Sequence, residues 1–180
     1  MYWGNPHTYC VKLNEDMIST SGEIMTMDRI EDYQEGPWFW SRKNAKGEKW
    51  YYLAFASTCC PEGIGYAMSK SPTGPWEHKG HIMDHTPQTR GNHPGIIEFK
   101  GKSYCFGLNY DIFRLESSRH AERRSVSAAE MTYNADGTIQ ELPYFLDAKL
   151  NQVGTFDPFR RVEAETMAWG YGLKTTIQRT

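Results

Sequence analysis

Pro37-Trp-Phe-Trp-Ser-Arg42, followed by Lys46-Gly-Glu-Lys-Trp-Tyr-Tyr-Leu53, returns further along the chain as Pro94-Gly-Ile-Ile-Glu-Phe99, followed by Lys100-Gly-Lys-Ser-Tyr-Cys-Phe-Gly107. The offset between the copies is 54 to 57 residues. Each copy reads as an apolar strand, a Lys-Gly turn and an aromatic strand, which is the composition of a β-hairpin. A period of about 50 residues with several short strands per unit is the signature of propeller blades. A chain of 180 residues holds roughly three such units, fewer than the four that normally close a ring. The expected architecture is therefore all-β, and a partial propeller.

Outward from the repeat, short apolar runs separated by turn residues continue. Candidate strands are Tyr9–Leu13, Trp38–Arg42, Trp50–Ala56, Gly65–Ser69, Gly95–Phe99, Ser103–Leu108, Arg124–Tyr133 and Arg161–Ala164. Turn chemistry lies between them at Asn44–Gly47, Ser71–Pro75, Lys100-Gly101 and Asn134–Gly137. Phe113–Glu122 is polar and charged and reads as a loop or a short helix. The opening, Met1 to Leu13, reads as strand, turn and strand rather than as a secretory leader, so the chain is expected to begin inside a fold.

Composition narrows the function classes. The formal net charge is −2, which gives no basic excess to draw the chain to nucleic acid or to an anionic membrane. No run of eighteen apolar residues occurs, so no membrane-spanning helix is expected. Aromatics make up 14% of the chain. They suit strand cores, and they are also the platforms on which sugar rings stack. Cys10, Cys59, Cys60 and Cys105 form no C-x-x-C pair, and no paired histidines complete a zinc pattern with them. An adjacent pair such as Cys59-Cys60 is a strained disulfide, so all four are expected as buried or free thiols.

Two segments carry ionisable residues in an unusual setting: Asp32-Tyr-Gln-Glu-Gly-Pro-Trp38 and Arg90-Gly-Asn-His-Pro-Gly-Ile96. Each places one such residue, Glu35 or His93, just before a Gly/Pro turn that opens the first strand of a repeat. In a propeller that strand lines the central channel, so the two side chains are expected to point at one axis.

In these residues the chain resembles glycoside hydrolase family 43. The resemblance rests on Glu35-Gly-Pro-Trp38 with its aromatic hairpin, Ser69-Lys-Ser-Pro-Thr-Gly-Pro-Trp76, Asn92-His-Pro-Gly95, and Arg124-Ser-Val126 followed by Tyr133-Asn-Ala-Asp-Gly-Thr138, all in order. It covers residues 1–158 and implies a five-bladed β-propeller, of which this chain would hold about three blades. It also implies an inverting glycosidase using a base Asp, an Asp that tunes the acid, and a Glu acid. Glu35 resembles that general acid. His93 resembles a channel histidine that helps hold a calcium ion through water and faces substrate. Arg124 resembles an arginine that reaches the sugar or the acid, and Trp38, with Phe39, could floor the sugar subsite. Neither family Asp has a counterpart here. Asp16, Asp28, Asp32 and Asp111 are available but sit in turn or surface contexts.

Residues 159–180 carry a second resemblance. Arg161-Val-Glu-Ala-Glu-Thr-Met-Ala-Trp169 is similar to the first strand of a family 6 carbohydrate-binding module, a β-sandwich, in which Glu163 and Glu165 would help bind a structural calcium. Oxygen ligands at alternate strand positions suit that ion. The segment is a linker and the start of a module rather than a whole one.

The resulting expectation is a fragment of an arabinofuranosidase or β-xylosidase acting on arabinoxylan or xylan of the plant cell wall. It would need no organic cofactor, and its parent would work outside the cell or in the periplasm. A non-catalytic carbohydrate-binding propeller is the alternative, and a structural propeller module is a third reading. With an acid but no assigned base, the 180-residue chain alone should show little or no hydrolysis, since proton donation by itself contributes roughly 10²–10⁴-fold. Assay against nitrophenyl arabinofuranoside and xyloside checks this. Robust turnover that disappears on Glu35→Gln would mean that another acid serves as base.

Overall fold

The computed structural model describes residues 1–87, 89–110, 125–145, 147, 148, 150, 159 and 161. Met1–Leu150 form one compact unit and Asn151–Thr180 a second, in which only Phe159 and Arg161 are described. Of the strand expected at Arg161–Ala164 only Arg161 is described; Glu163 and Glu165 lie outside the described residues, as do Arg124 and the segment 113–122.

Among its described residues the first unit is all-β, with ten strands: β1 (Tyr2–Trp3), β2 (Tyr9–Leu13), β3 (Thr20–Thr26), β4 (Tyr33–Lys43), β5 (Lys49–Ser57), β6 (Glu62–Ser69), β7 (Glu77–Thr86), β8 (Gly95–Phe99), β9 (Lys102–Asn109) and β10 (Ser125–Met131). They pair antiparallel in three sheets ordered β1-β2-β3, β4-β5-β6-β7 and β10-β9-β8. Among the described residues no helix is long and apolar enough to cross a membrane.

Both copies of the repeat are hairpins, β4–β5 and β8–β9. In the first turn the buried Asn44 accepts the N–H groups of Lys46 and Glu48 on its Oδ1, each at 3.0 Å, in place of backbone partners. In the second, Phe99 pairs Lys102 across a two-residue turn. Lys100 and Gly101 there have φ of 50° and 77°, the positive pair that a tight hairpin turn matching strand twist requires.

The middle sheet is covered on both faces. Successive side chains of a strand point to opposite sides. Along β5 and β6, Tyr52, Ala54, Ile64, Tyr66 and Met68 join a core with Ile96, Cys105 and Ala129 of the β8–β10 sheet. Leu53, Phe55 and Ala67 join a second core with Ile30 and Tyr33, against which Tyr2 and Phe39 pack. The Tyr52 hydroxyl donates to the Gly137 carbonyl at 2.8 Å, and the Tyr66 oxygen accepts the Ile139 N–H at 3.0 Å. Burial pushes the Tyr52 phenol up to about 12.

Several expectations are corrected. β4 begins at Tyr33, so Glu35, Gly36 and Pro37 lie inside the strand; pairing with β5 shifts register on both sides of Glu35. An irregular pairing there replaces the expected turn. β3 and β7 were not anticipated, because neither presents an apolar run. β3 is exposed along nearly its whole length, and β7 is rich in histidine and charge. Cys59 and Cys60, expected as thiols, are joined to each other in the connection between β5 and β6. Cys10 and Cys105 are free and buried, as expected.

Close approach of β6 to β7 depends on Gly63. A Cβ there would stand 2.6 Å from the Met83 carbonyl oxygen and 3.0 Å from the His85 nitrogen, and backbone cannot rotate away as a side chain can. Gly63→Ala should therefore cost about 1–3 kcal/mol of stability. Gly95→Ala, whose Cβ would have Phe106 Cβ as its neighbour at 3.8 Å, should stay within about 0.5 kcal/mol of the parent. Urea unfolding of the two variants checks the contrast.

Candidate active site

Glu35 projects from the irregular stretch of β4. Its Oε2 accepts a hydrogen bond from Asn5 Nδ2 at 2.7 Å, and its Oε1 lies 3.4 Å from His93 Nε2. The two residues that the repeat placed in equivalent settings, 58 positions apart in sequence, are therefore neighbours in space. Their contact depends on Gly36, which has φ of +64°; a Cβ there would lie 2.6 Å from the His93 ring. The imidazole packs where any side chain on residue 36 would stand.

The segment that carries His93 is held from below by Glu62, which sequence reading missed. Glu62 is 2% exposed. Its Oε2 accepts the Asn92 N–H at 3.0 Å, and its backbone oxygen accepts the Thr89 hydroxyl at 2.9 Å. Asn92, fully buried, accepts the Leu108 N–H on its Oδ1 at 3.0 Å, which ties the same segment to β9. The Tyr110 hydroxyl donates to the Arg90 carbonyl at 2.9 Å. In sequence, Glu62 belongs to none of the motifs and lies before the expected strand Gly65–Ser69. Asn5 gave no signal either, since its role is set by a contact across 30 positions.

Glu35, Glu62, Cys59, Arg90, Gly91 and Tyr110 line a cleft of about 230 Å³. A larger cleft of about 450 Å³ opens at the far end of β4, between Arg42–Asn44 and Lys102–Ser103. Its carboxylate, Glu130, is taken by Lys102 at 2.7 Å, and Glu35 does not border it. The smaller cleft is therefore the candidate site. What it offers is the Glu35 carboxyl, which Asn5 steadies on one oxygen and His93 faces on the other from beside the cleft, a set suited to moving a proton.

Trp38 does not line this cleft. Its indole N–H donates to the Ile96 carbonyl at 3.0 Å, and the side chain remains 40% exposed. Phe39 stacks on Tyr2 and Tyr51 within the second core. Asp16 is a turn residue, accepting the N–H groups of Ile18 and Ser19 at 2.9 Å each. Asp28 is exposed, Asp111 lies outside the described residues, and Asp32 is engaged with His81. Calcium takes six to eight oxygen ligands. His93 offers an imidazole nitrogen beside one carboxylate, so these two side chains do not by themselves make a calcium cage.

Gly36 and His93 should be energetically coupled. Gly36→Ala should destabilise by the strain of a left-handed alanine, about 1–2 kcal/mol, and by the clash with the imidazole. In a His93→Ala background only the strain remains, so a double-mutant cycle by thermal or urea unfolding should show a favourable coupling. Strict additivity would mean that the ring does not rest on Gly36.

Comparison with known proteins places this geometry in a family. The family described as glycosyl hydrolases family 43 matches residues 1–139. An arabinoxylan arabinofuranohydrolase of Paenibacillus polymyxa is 30% identical over 95% of this chain, and one of Bacillus subtilis strain 168 is 30% identical over 93%. These alignments span 28% and 34% of those two proteins, so the chain covers about a third of their length. The crystal structure of a glycoside hydrolase family 43 arabinoxylan arabinofuranohydrolase from Bacillus subtilis, in complex with cellotetraose, superposes with a TM-score of 0.71 at 26% identity, over 90% of this chain and 34% of that one. The chain belongs to glycosyl hydrolase family 43.

Proposed function

We propose that this chain is the acid-bearing part of an inverting glycosidase that removes arabinofuranosyl or xylosyl groups from xylan-type polysaccharide. The observation that carries the reading is Glu35, bonded by Asn5 and facing His93 at a cleft, in a family 43 chain whose matched relatives are arabinoxylan arabinofuranohydrolases. In this reading the three sheets are blades of a five-bladed propeller, and residues 159–180 lead into a carbohydrate-binding module through Glu163 and Glu165. The parent works outside the cell or in the periplasm, where its polymeric substrate lies.

Glu35 gives its proton to the glycosidic oxygen as the bond to the sugar breaks, and Asn5 holds the carboxyl in the plane that presents it. A base roughly 6.5–9.5 Å across the sugar activates the water that attacks from the opposite face. Glu62 does not take that role, because its oxygen already accepts the Asn92 N–H inside the fold; it positions His93 instead. A calcium ion near His93 would be held through water and would supply fixed positive charge. Arg124 is assigned to the sugar or the acid; Trp38, which does not line the cleft, is given no role in this step.

The test is Glu35→Gln in the gene product as its host encodes it. Turnover of arabinoxylan should fall by roughly 10²–10⁴-fold while binding of the polysaccharide survives. Activated aryl glycosides, whose leaving groups need little protonation, should lose much less. Equal losses on both substrate types would remove Glu35 from the acid role, and polysaccharide binding with no hydrolysis by the unmutated protein would favour a binding propeller.

A further inference from the structure

We propose that Asp32, His78, His81 and His85 form a binding site for a divalent transition-metal ion of the zinc class, separate from the Glu35 cleft. Asp32, His78 and His81 each present one ligand atom, and the three atoms lie within 4.8 Å of one another. Asp32 Oδ2 stands 2.8 Å from His81 Nε2 and 3.9 Å from His85 Nε2. Around a zinc ion with bonds of about 2.0–2.2 Å, tetrahedral donors stand about 3.4 Å apart, so Asp32, His78 and His81 are close to that spacing, while His85 adjoins the group through His81 and Asp32.

The local fold assembles these groups against the ordinary rule for strands. Residues three apart on a regular strand face opposite sides. β7 pairs β6 irregularly, with register shifts on either side of the Gly65–Tyr66 pairing, and Gly80 has φ of 105°. The bulge turns His78 and His81 toward each other, their rings 5.8 Å apart, and His85 follows on the His81 side at 4.7 Å. Asp32 is fixed independently. Its backbone is left-handed at φ 61°, and the Thr58 N–H bonds to both its carbonyl oxygen and its Oδ1, which leaves Oδ2 to face the histidines.

Two further observations point to a ligand. His78 Nε2 is buried and has no hydrogen-bond partner, a condition that native structures seldom leave unexplained. His85 Nδ1 lies 3.0 Å from Asp84 Oδ1, while the Ser57 hydroxyl, which accepts the Gly63 N–H, sits 3.2 Å from His85 Nε2. That arrangement keeps the proton on Nδ1 and the lone pair on Nε2, where an ion would take the place of the Ser57 hydroxyl, and it is the carboxylate–histidine pairing that orients a metal ligand. Three imidazoles and one carboxylate suit zinc, cobalt or nickel over calcium or magnesium. The cysteines play no part, so the absence of a zinc pattern around them has no bearing here. The fourth ligand comes from 46 residues before His78. An ion here would pin the start of β4, three residues before Glu35, to β7.

The untagged 180-residue chain, treated with chelator, is titrated with Zn²⁺ by calorimetry and with Co²⁺ by visible absorption. One ion should bind per chain, with the ligand-field bands of a nitrogen- and oxygen-ligated tetrahedral site, and an excess of Ca²⁺ or Mg²⁺ should not displace it. His78→Gln and His81→Gln should each weaken binding at least about tenfold, and Asp84→Asn should weaken it about 10–100-fold by freeing the His85 ring. His7→Gln, at an exposed histidine outside the cluster, should leave it unchanged. Circular dichroism checks the fold of each variant, and exposed Asp84 carries the test should a buried variant unfold. Equal affinity in His7→Gln and His81→Gln, or no 1:1 binding tighter than about 0.1 mM, would overturn the site.

Discussion

β5 and β6 are buried on both faces, and the other described strands of Met1–Leu150 are arranged around that constraint. Six of the nine residues of β5 and all eight of β6 are buried, so their even and odd positions must satisfy two different neighbours at once. The even side of β5 meets the β8–β10 sheet and the turn at residues 134–139; the odd side meets β1, Ile30 and Tyr33. Two polar tips, the Tyr52 and Tyr66 hydroxyls, reach the far edge of the first core and find backbone partners there. A strand packed on both faces cannot slip by one residue without exchanging its two cores, and this register fixes where the irregular pairings of β4 and β7 fall.

That dependence explains which parts were legible in the sequence. The repeat at Pro37 and Pro94 read correctly as two hairpins, because apolar alternation and a Lys-Gly or Asn-to-Gly turn are local signals. β3 was missed because an exposed edge strand needs no apolar face, and β7 because its histidines interrupt the alternation. The pairing of Glu35 with His93 was legible through their equivalent places in the repeat. Asn5, Glu62 and Asn92 were not, since each acts through a bond to a residue 16 to 30 positions away. Side chains of that kind look like ordinary polar flanks until the chain is folded.

The Glu35 site therefore divides into two layers with different origins. Its outer layer, Glu35 and His93, comes from the first strand of one sheet and from the segment that leads into the first strand of another, and it is held at contact by a glycine whose missing Cβ gives the imidazole its place. Its inner layer is a carboxylate, Glu62, and an amide, Asn92, each buried and each bonded to backbone N–H groups. A buried carboxylate that accepts a backbone N–H resists displacement, because breaking the bond would strand a desolvated charge. The inner layer thus lets an exposed histidine keep a defined position on a segment that belongs to no strand.

The same logic connects the Glu35 cleft to the histidine cluster. Both lie at breaks in regular pairing: Glu35 where β4 shifts register against β5, and His78 and His81 where β7 shifts against β6. A regular strand distributes its side chains evenly over two faces and cannot concentrate three imidazoles on one side within eight residues. A bulge can, at the cost of ladder hydrogen bonds, and a doubly covered middle sheet tolerates that loss because packing on either side holds the backbone in place. Asp32 ends the connection into β4 and touches His81; Glu35 follows on the same strand. Whatever binds at the histidines therefore acts on the segment that presents the carboxyl to the cleft, and the two sites share one piece of backbone.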